Sequence, residues 1–346
     1  MARRIPRKLW VPRPEILRGE LNDAVFGADF DVVVEGKGPK VYSDPKTFFR
    51  NTYPTKRLKT IVELVFSRLA NPKEAGAAVR LSTGFGGGKT HALIALLHLA
   101  KNISKLTMGT ELLPAAGRPK KVAVAAVDIG KAGLPVFAQH DKARTHSLWC
   151  EVAYWLNRGR VPKEMAKVDD PTKQPHAALI DKMFPDGPAL ILLDEPVKYM
   201  AMLGEQARNS FLKFLDTLVS AVLNRPQTVL VITDPAKQPT YALPTAQVDK
   251  ALSSARSLSE VLGRKVSDFD PIGEETARVI SRRLFESINL KAAQKVSAQY
   301  LETYQRIASE HPGTLPPEAM TSAYAERIVE CYPFHPRLME TAQNRL

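Results

Sequence analysis

Four short, almost wholly apolar runs punctuate the chain, at residues 77–82, 122–127, 189–193 and 228–232. Each is bounded by polar or turn-forming residues and is short for a buried helix, so each predicts a strand covered on both faces. Between them the apolar positions recur every three or four residues. Leu58, Ile61, Val62, Val65, Phe66 and Leu69 predict an amphipathic helix ending near Asn71-Pro72, and residues 91–100, 147–157 and 211–223 read as further helices. This alternation predicts an α/β fold: a parallel sheet sandwiched by helices.

The flanks read differently. Residues 1–43 are rich in Pro, Gly and charge, with an extended Trp10-Val11-Pro12-Arg13-Pro14 segment, and predict a basic arm. The α/β core is expected over 44–272. Residues 273–346 turn helical, with helices expected at 274–288, 292–310 and 317–331 and another opening after Tyr332-Pro333-Phe334-His335-Pro336, so that a small helical lid is expected. No terminating signal precedes Leu346, and the chain is expected to be part of a longer protein. The aromatic group Phe48, Phe49 and Tyr53 suits either packing over a base or, more commonly, anchoring a helix to the core.

Composition adds limits. With 44% apolar residues the 346-residue chain can bury an ordinary core, and no run nears the ~18 apolar residues of a membrane span. The N-terminus lacks a secretory signal, so a cytoplasmic location without membrane contact is expected. Two cysteines, Cys150 and Cys331, without CxxC spacing, argue against a disulfide scaffold or zinc site. The formal net charge of +13 suits a polyanionic partner. The cations are scattered apart from the arm at 3–18 and the Arg282-Arg283 pair, so a solvated basic surface and a nucleic-acid groove both fit.

The strongest chemical signal is Thr83-Gly84-Phe85-Gly86-Gly87-Gly88-Lys89-Thr90, a glycine turn between the first apolar strand and the apolar helix opened by His91. Glycines let successive amides turn inward, and the helix N-terminus adds positive potential, which together cradle a polyphosphate. This is a Walker A pattern with Thr83 where the full motif has glycine. Gly84 through Thr90 and His91 are the expected ATP-binding residues. Lys89 is expected to bridge the β- and γ-phosphates, and Thr90 to ligate Mg2+.

The third strand ends in Asp194-Glu195-Pro196. Ligands of parallel sheets sit at the carboxyl ends of strands, so Asp194 is expected to hold Mg2+ and Glu195 to activate the attacking water. The intervening strand at 122–127 allows a sheet in which the fourth strand lies between the loop strand and the acidic strand. That fourth strand ends in Thr233-Asp234-Pro235, and either Thr233 or Asp234 can face the γ-phosphate; Asp234 is counted with Lys89 and Glu195 as a catalytic candidate. Arg256, Arg264, Arg282, Arg283 and Arg337 are available to stabilise transition-state charge, Arg337 as a nucleotide contact from the lid.

With loop, acidic strand, polar-ended fourth strand and helical lid together, the chain resembles an AAA+ P-loop ATPase. The segments at 48–53, 83–91 and 283–285, and the Tyr332-Pro333-Phe334-His335-Pro336 turn, are similar to the large ATPases of prokaryotic anti-phage islands, those of BREX and phage growth limitation systems. The resemblance spans nearly the whole chain, and Thr83 is shared by that group. It implies a Mg2+-dependent, oligomeric ATPase serving as motor or switch of a DNA-directed defence complex with methyltransferase and other subunits. It also implies a Walker B pair at Asp194 and Glu195, a sensor 1 at Thr233 and Asp234, and a sensor 2 at Arg337. A non-hydrolysing nucleotide-binding scaffold for defence partners is the alternative.

Overall fold

The structure is a computed structural model that describes residues 9–19, 27–83, 88–114, 118–134, 136–141, 143–235, 245–269 and 275–345. Its strands are β1 (Trp10–Pro12), β2 (Ala77–Thr83), β3 (Ala123–Asp128), β4 (Ala138–Gln139), β5 (Arg144–Thr145), β6 (Ala189–Asp194), β7 (Thr228–Pro235), β8 (Ser267–Phe269) and β9 (Phe285–Ile288). The chain divides into two compact units. One comprises 27–50 and 54–273; the other comprises 1–26, 51–53 and 274–346.

The larger unit is built on a five-stranded sheet in the order β3-β6-β7-β2-β8, with every neighbouring pair parallel. Thus β7 lies between the glycine-turn strand β2 and the acidic strand β6. The four strands expected from apolar runs are all present, because each is buried on both faces. Strand alternation sorts their side chains into two cores. Ala189, Ile191, Leu193, Leu230 and Ile232 pack on one face, with the Leu148–Leu156 and Glu205–Asn224 helices. Leu190, Leu192, Val229, Val231, Val79 and Leu81 pack on the other, beneath the Lys56–Ala70 and Lys89–Asn102 helices. The Lys56–Ala70 helix buries the very stripe its sequence marks, and Thr55 caps it by accepting from the Leu58 amide at 3.0 Å.

Three features depart from the sequence pattern. Residues 30–34 and 40–43, read as arm, form short helices that bury Phe30, Val33, Val34 and Tyr42 in the second core. The fifth strand, β8, is too short and polar to stand out, and it is held by an ion pair of Asp268 with Arg80 across the strand pair. Residues 245–262 form a long helix that no expected element covers.

In the smaller unit, β1 pairs antiparallel with β9, Trp10 opposite Ile288, and the Arg13 guanidinium donates to the Arg282 carbonyl at 2.9 and 3.1 Å. The helix expected over 274–288 therefore gives way to a helix at Thr276–Leu284 followed by a strand, since pairing with the 10–12 backbone overrides local helical periodicity. Helices at Leu290–Glu310, Ser322–Cys331 and Pro336–Arg345 complete the unit. Thr321 restarts the chain as a helix after a 3-10 turn at Pro317–Met320, accepting from the Tyr324 amide at 3.2 Å. Among the described residues no helix is long and apolar enough to cross a membrane.

At the entry to β2 the backbone approaches its neighbours more tightly than at any other described glycine. A β-carbon on Gly76 would lie 2.0 Å from the Val222 carbonyl oxygen and 2.5 Å from that of Thr228. Main-chain oxygens anchored in a helix and a strand cannot step aside. Gly76→Ala is expected to lower urea-unfolding stability by about 3 kcal/mol or to prevent soluble folding; an unchanged midpoint would contradict this packing.

Candidate functional site at the strand ends

Gly84, Phe85, Gly86 and Gly87 lie outside the described residues. The far end of the turn is Gly88, whose left-handed backbone (φ 71°) opens the Lys89–Asn102 helix. No side chain caps that helix, so its first amides and the dipole leave positive potential beside Lys89. His91 faces the Phe48 ring at 4.5 Å between centroids and meets Tyr42 edge-on. Phe48 and Phe49 are buried in the second core, which is the helix-anchoring use of that aromatic pair. Tyr53 belongs to the other unit, where its hydroxyl accepts from Arg278 at 3.4 Å.

Strand parity selects which polar ends meet. Asp194 continues the Leu190–Leu192 face of β6, and Thr233 the Val229–Val231 face of β7, so both turn toward the Lys89–Asn102 helix. The Thr90 hydroxyl donates to Asp194 Oδ2 at 3.0 Å, and the Thr233 hydroxyl donates to Asp194 Oδ1 at 2.7 Å. The Glu195 amide donates to Thr233 Oγ1 at 3.0 Å and lies 3.1 Å from Asp194 Oδ1. Asp194 is thus buried with both oxygens engaged.

Glu195 has the left-handed backbone φ 58°, ψ 42°, unusual for a residue with a side chain, and leads into the Pro196–Met202 helix. Such strain, about 1 kcal/mol, persists where neighbouring structure over-determines a residue, and it turns the Glu195 side chain out of the sheet. Its carboxylate is half exposed, with the Lys198 ammonium 3.8 Å away. Gly130 leaves it room, since a β-carbon there would come within 2.7 Å of Glu195 Cβ.

One acidic residue escaped the sequence reading. Asp128 ends β3 directly opposite Asp194 in the strand register, and its Oδ1 is buried without a hydrogen-bond partner. Burial, then the Asp194 and Glu195 charges, push its carboxyl up to about 7. Asp194 is also raised by burial, against the hydrogen bonds from Thr233 and Thr90, and Glu195 by burial and then by Asp194. The available signal was that β3, like β6, is an apolar run closed by aspartate.

Asp234 falls on the opposite face. Its carboxylate is 3.4 Å from Arg80, which also donates to Asp268 at 2.6 Å and to Ser259 at 3.0 Å. Burial pushes Asp234 up to about 6, with Arg80 opposing. Arg80, in the middle of an apolar strand, had no earlier role and here ties β2, β7 and β8 together. Arg256 is exposed on the Thr245–Leu262 helix, and the side chain of Arg264 lies outside the described residues. Arg282, Arg283 and Arg337 belong to the smaller unit, where Arg337 pairs with Glu318 and Glu340, each at 3.1 Å.

The donor set suits a hard divalent cation. Carboxylate and hydroxyl oxygens of Asp194 and Thr90 already adjoin, and magnesium bound with substrate phosphates takes only one or two protein ligands. Among the described residues no group of three or more His, Cys, Asp or Glu side chains is placed to hold a metal.

Asp128 keeps its proton in the folded chain at pH values where the unfolded chain has lost it, because its folded value is raised from 3.8 to about 7. Its contribution to stability therefore falls as pH rises through that window and is flat above it. Asp128→Asn, unfolded by urea in EDTA, is expected to exceed wild type by about 2 kcal/mol near pH 8 and to converge with it near pH 4. Equal stability near pH 8 would contradict a crowded carboxyl.

No curated protein and no solved structure matches the chain. Residues 10–268 match the family model described as the DUF499 N-terminal domain, a span that includes β1, all of the five-stranded sheet but Phe269, and every residue of the strand-end site. With roughly three quarters of its length inside that match, the chain belongs to the DUF499 family.

Proposed function

We propose that the protein is an AAA+ type P-loop ATPase that binds and hydrolyses Mg2+-ATP as motor or switch of a DNA-directed phage-defence complex. The observation that carries the reading is the convergence of the Thr90 and Thr233 hydroxyls on the two oxygens of Asp194. It joins the start of the glycine-turn helix to the ends of two neighbouring strands, the arrangement a triphosphate and its metal require. The position of β7 between β2 and β6 supports the motor-type sheet over that of simple kinases.

In this reading Gly84 through Thr90 and His91 form the phosphate seat, and Lys89 neutralises the β- and γ-phosphates. Thr90 and Asp194 would hold magnesium, which supplies charge neutralisation at the phosphoryl oxygens. Thr233 fixes Asp194 and the Glu195 amide together, coupling γ-phosphate occupancy to the catalytic carboxylate. Glu195 orients and deprotonates the attacking water. Asp234, turned to the other face of the sheet and paired with Arg80, takes no direct part. Membership in a homo-oligomer, Arg337 contact with nucleotide and association with methyltransferase or other defence subunits follow from the resemblance to BREX and phage growth limitation ATPases.

A nucleotide-binding scaffold without turnover is the second reading, favoured by Lys198 lying beside the Glu195 carboxylate. Phosphate release separates the two. Wild type is expected to hydrolyse ATP, with or without duplex DNA as stimulus, and Glu195→Gln to lose about 100-fold or more of kcat while still binding ATP. Equal, negligible release by both would leave the scaffold. Lys89→Ala is expected to abolish binding of a fluorescent ATP analogue; unchanged affinity would remove the phosphate seat.

Thr233→Ala offers a finer check. It removes the hydroxyl that bridges Asp194 Oδ1 and the Glu195 amide, leaving only their mutual 3.1 Å contact, so kcat is expected to fall about tenfold or more with KM for ATP little changed. A change in KM alone would place Thr233 outside the chemistry.

A further inference from the structure

A one-signed run of charge lies on the larger unit near the start of the Lys56–Ala70 helix. Residues 45–62 contain Lys46, Arg50, Lys56, Arg57 and Lys59 and no acidic residue. All five side chains are exposed. Lys46 and Arg50 are four apart on the Pro45–Asn51 helix and share a face, while Phe48 and Phe49 turn into the core. Lys56, Arg57 and Lys59 crowd the first turn of the Lys56–Ala70 helix, which has no acidic residue there. Among the described residues, Lys46, Arg50, Arg57 and Lys59 have no ion-pair partner.

Cations at a helix N-terminus oppose its dipole, at roughly 0.3–1 kcal/mol each. Three of them in one turn, beside two more on the preceding helix, make a surface that favours a covering anion. The patch also has a defined place. The Lys56–Ala70 helix runs back along the sheet, its carboxyl end meeting the start of β7 through a bond from Gln227 to the Leu69 carbonyl at 3.1 Å. At 15 residues it spans about 22 Å, so its basic end reaches the edge where β2, β6 and β7 terminate.

We propose that this face, Lys46, Arg50, Lys56, Arg57 and Lys59, is where the phosphodiester backbone of nucleic acid docks. Regularly spaced phosphates match a row of exposed cations without needing base contacts. A membrane surface fits less well, because no large hydrophobic side chain is exposed within 45–62 to enter a bilayer. The inference locates the DNA partner of the reading above and rests on it, yet is independent of ATP turnover.

Fluorescence anisotropy with a short labelled DNA duplex tests it, using the whole chain over a salt series. Arg50→Glu, Arg57→Glu and Lys59→Glu combined are expected to weaken binding at least about tenfold and to flatten the salt dependence by about three in log-log slope. The comparison variant reverses Arg118, Lys120 and Lys121, an exposed basic run at the opposite, entry end of β3, and is expected to bind like wild type. Equal weakening by both variants would reduce the effect to net charge and overturn the proposal. So would absence of wild-type binding at low salt, or loss of binding to phosphatidylserine vesicles with DNA binding intact. ATP-analogue binding by the patch variant, expected to be unchanged, separates a misfolded variant from a lost surface. Absent phosphate release by wild type with patch-dependent DNA binding would instead sink the ATPase reading alone.

Discussion

The buried carboxylate of Asp194 is the constraint on which the strand-end architecture turns. A carboxylate taken from water must have its oxygens satisfied, and here two threonine hydroxyls from different elements do so, with the Glu195 amide adjoining. Thr90 comes from the helix after the glycine turn and Thr233 from the central strand. Meeting that demand therefore fixes the helix start, β6 and β7 relative to one another. The same contacts leave Glu195 at a strained, half-exposed corner with its side chain free of the sheet.

Around this centre the charge is unevenly distributed by face. On the face under the Lys89–Asn102 helix the carboxyls of Asp128, Asp194 and Glu195 crowd together, and burial and mutual repulsion raise their hold on protons. Lys89 at an uncapped helix start supplies the opposing potential. A magnesium-bound polyphosphate would complete this balance, its metal relieving the carboxylates and its phosphates engaging the amides and Lys89. On the other face Arg80 pairs with both Asp234 and Asp268.

Much of this was legible in the sequence, for reasons that differ by element. The four principal strands were visible because burial on both faces demands continuous apolar runs, and the Asp194-Glu195 strand end because two carboxylates and a proline close such a run abruptly. Thr233 and Asp234 stood unresolved, since adjacent polar residues look alike until the register of the apolar positions before them assigns each to a face. Asp128 was hidden because a single aspartate after a strand is an ordinary turn residue; only its alignment with Asp194 gives it meaning. β8 and β9 were missed because their stability comes from partners distant in sequence, Arg80 for one and the 10–12 segment for the other. The short helices at 30–34 and 40–43 were masked by neighbouring glycine and proline.

The central claim, that Asp194 and Thr90 receive the metal of a bound nucleotide, is tested most directly by a structure of the protein soaked with manganese and a non-hydrolysable ATP analogue, located by anomalous scattering. One manganese peak adjoining Thr90 Oγ1 and Asp194, with the triphosphate along residues 84–90, is the expected result. A triphosphate bound elsewhere, or manganese seated away from both side chains, would contradict the account.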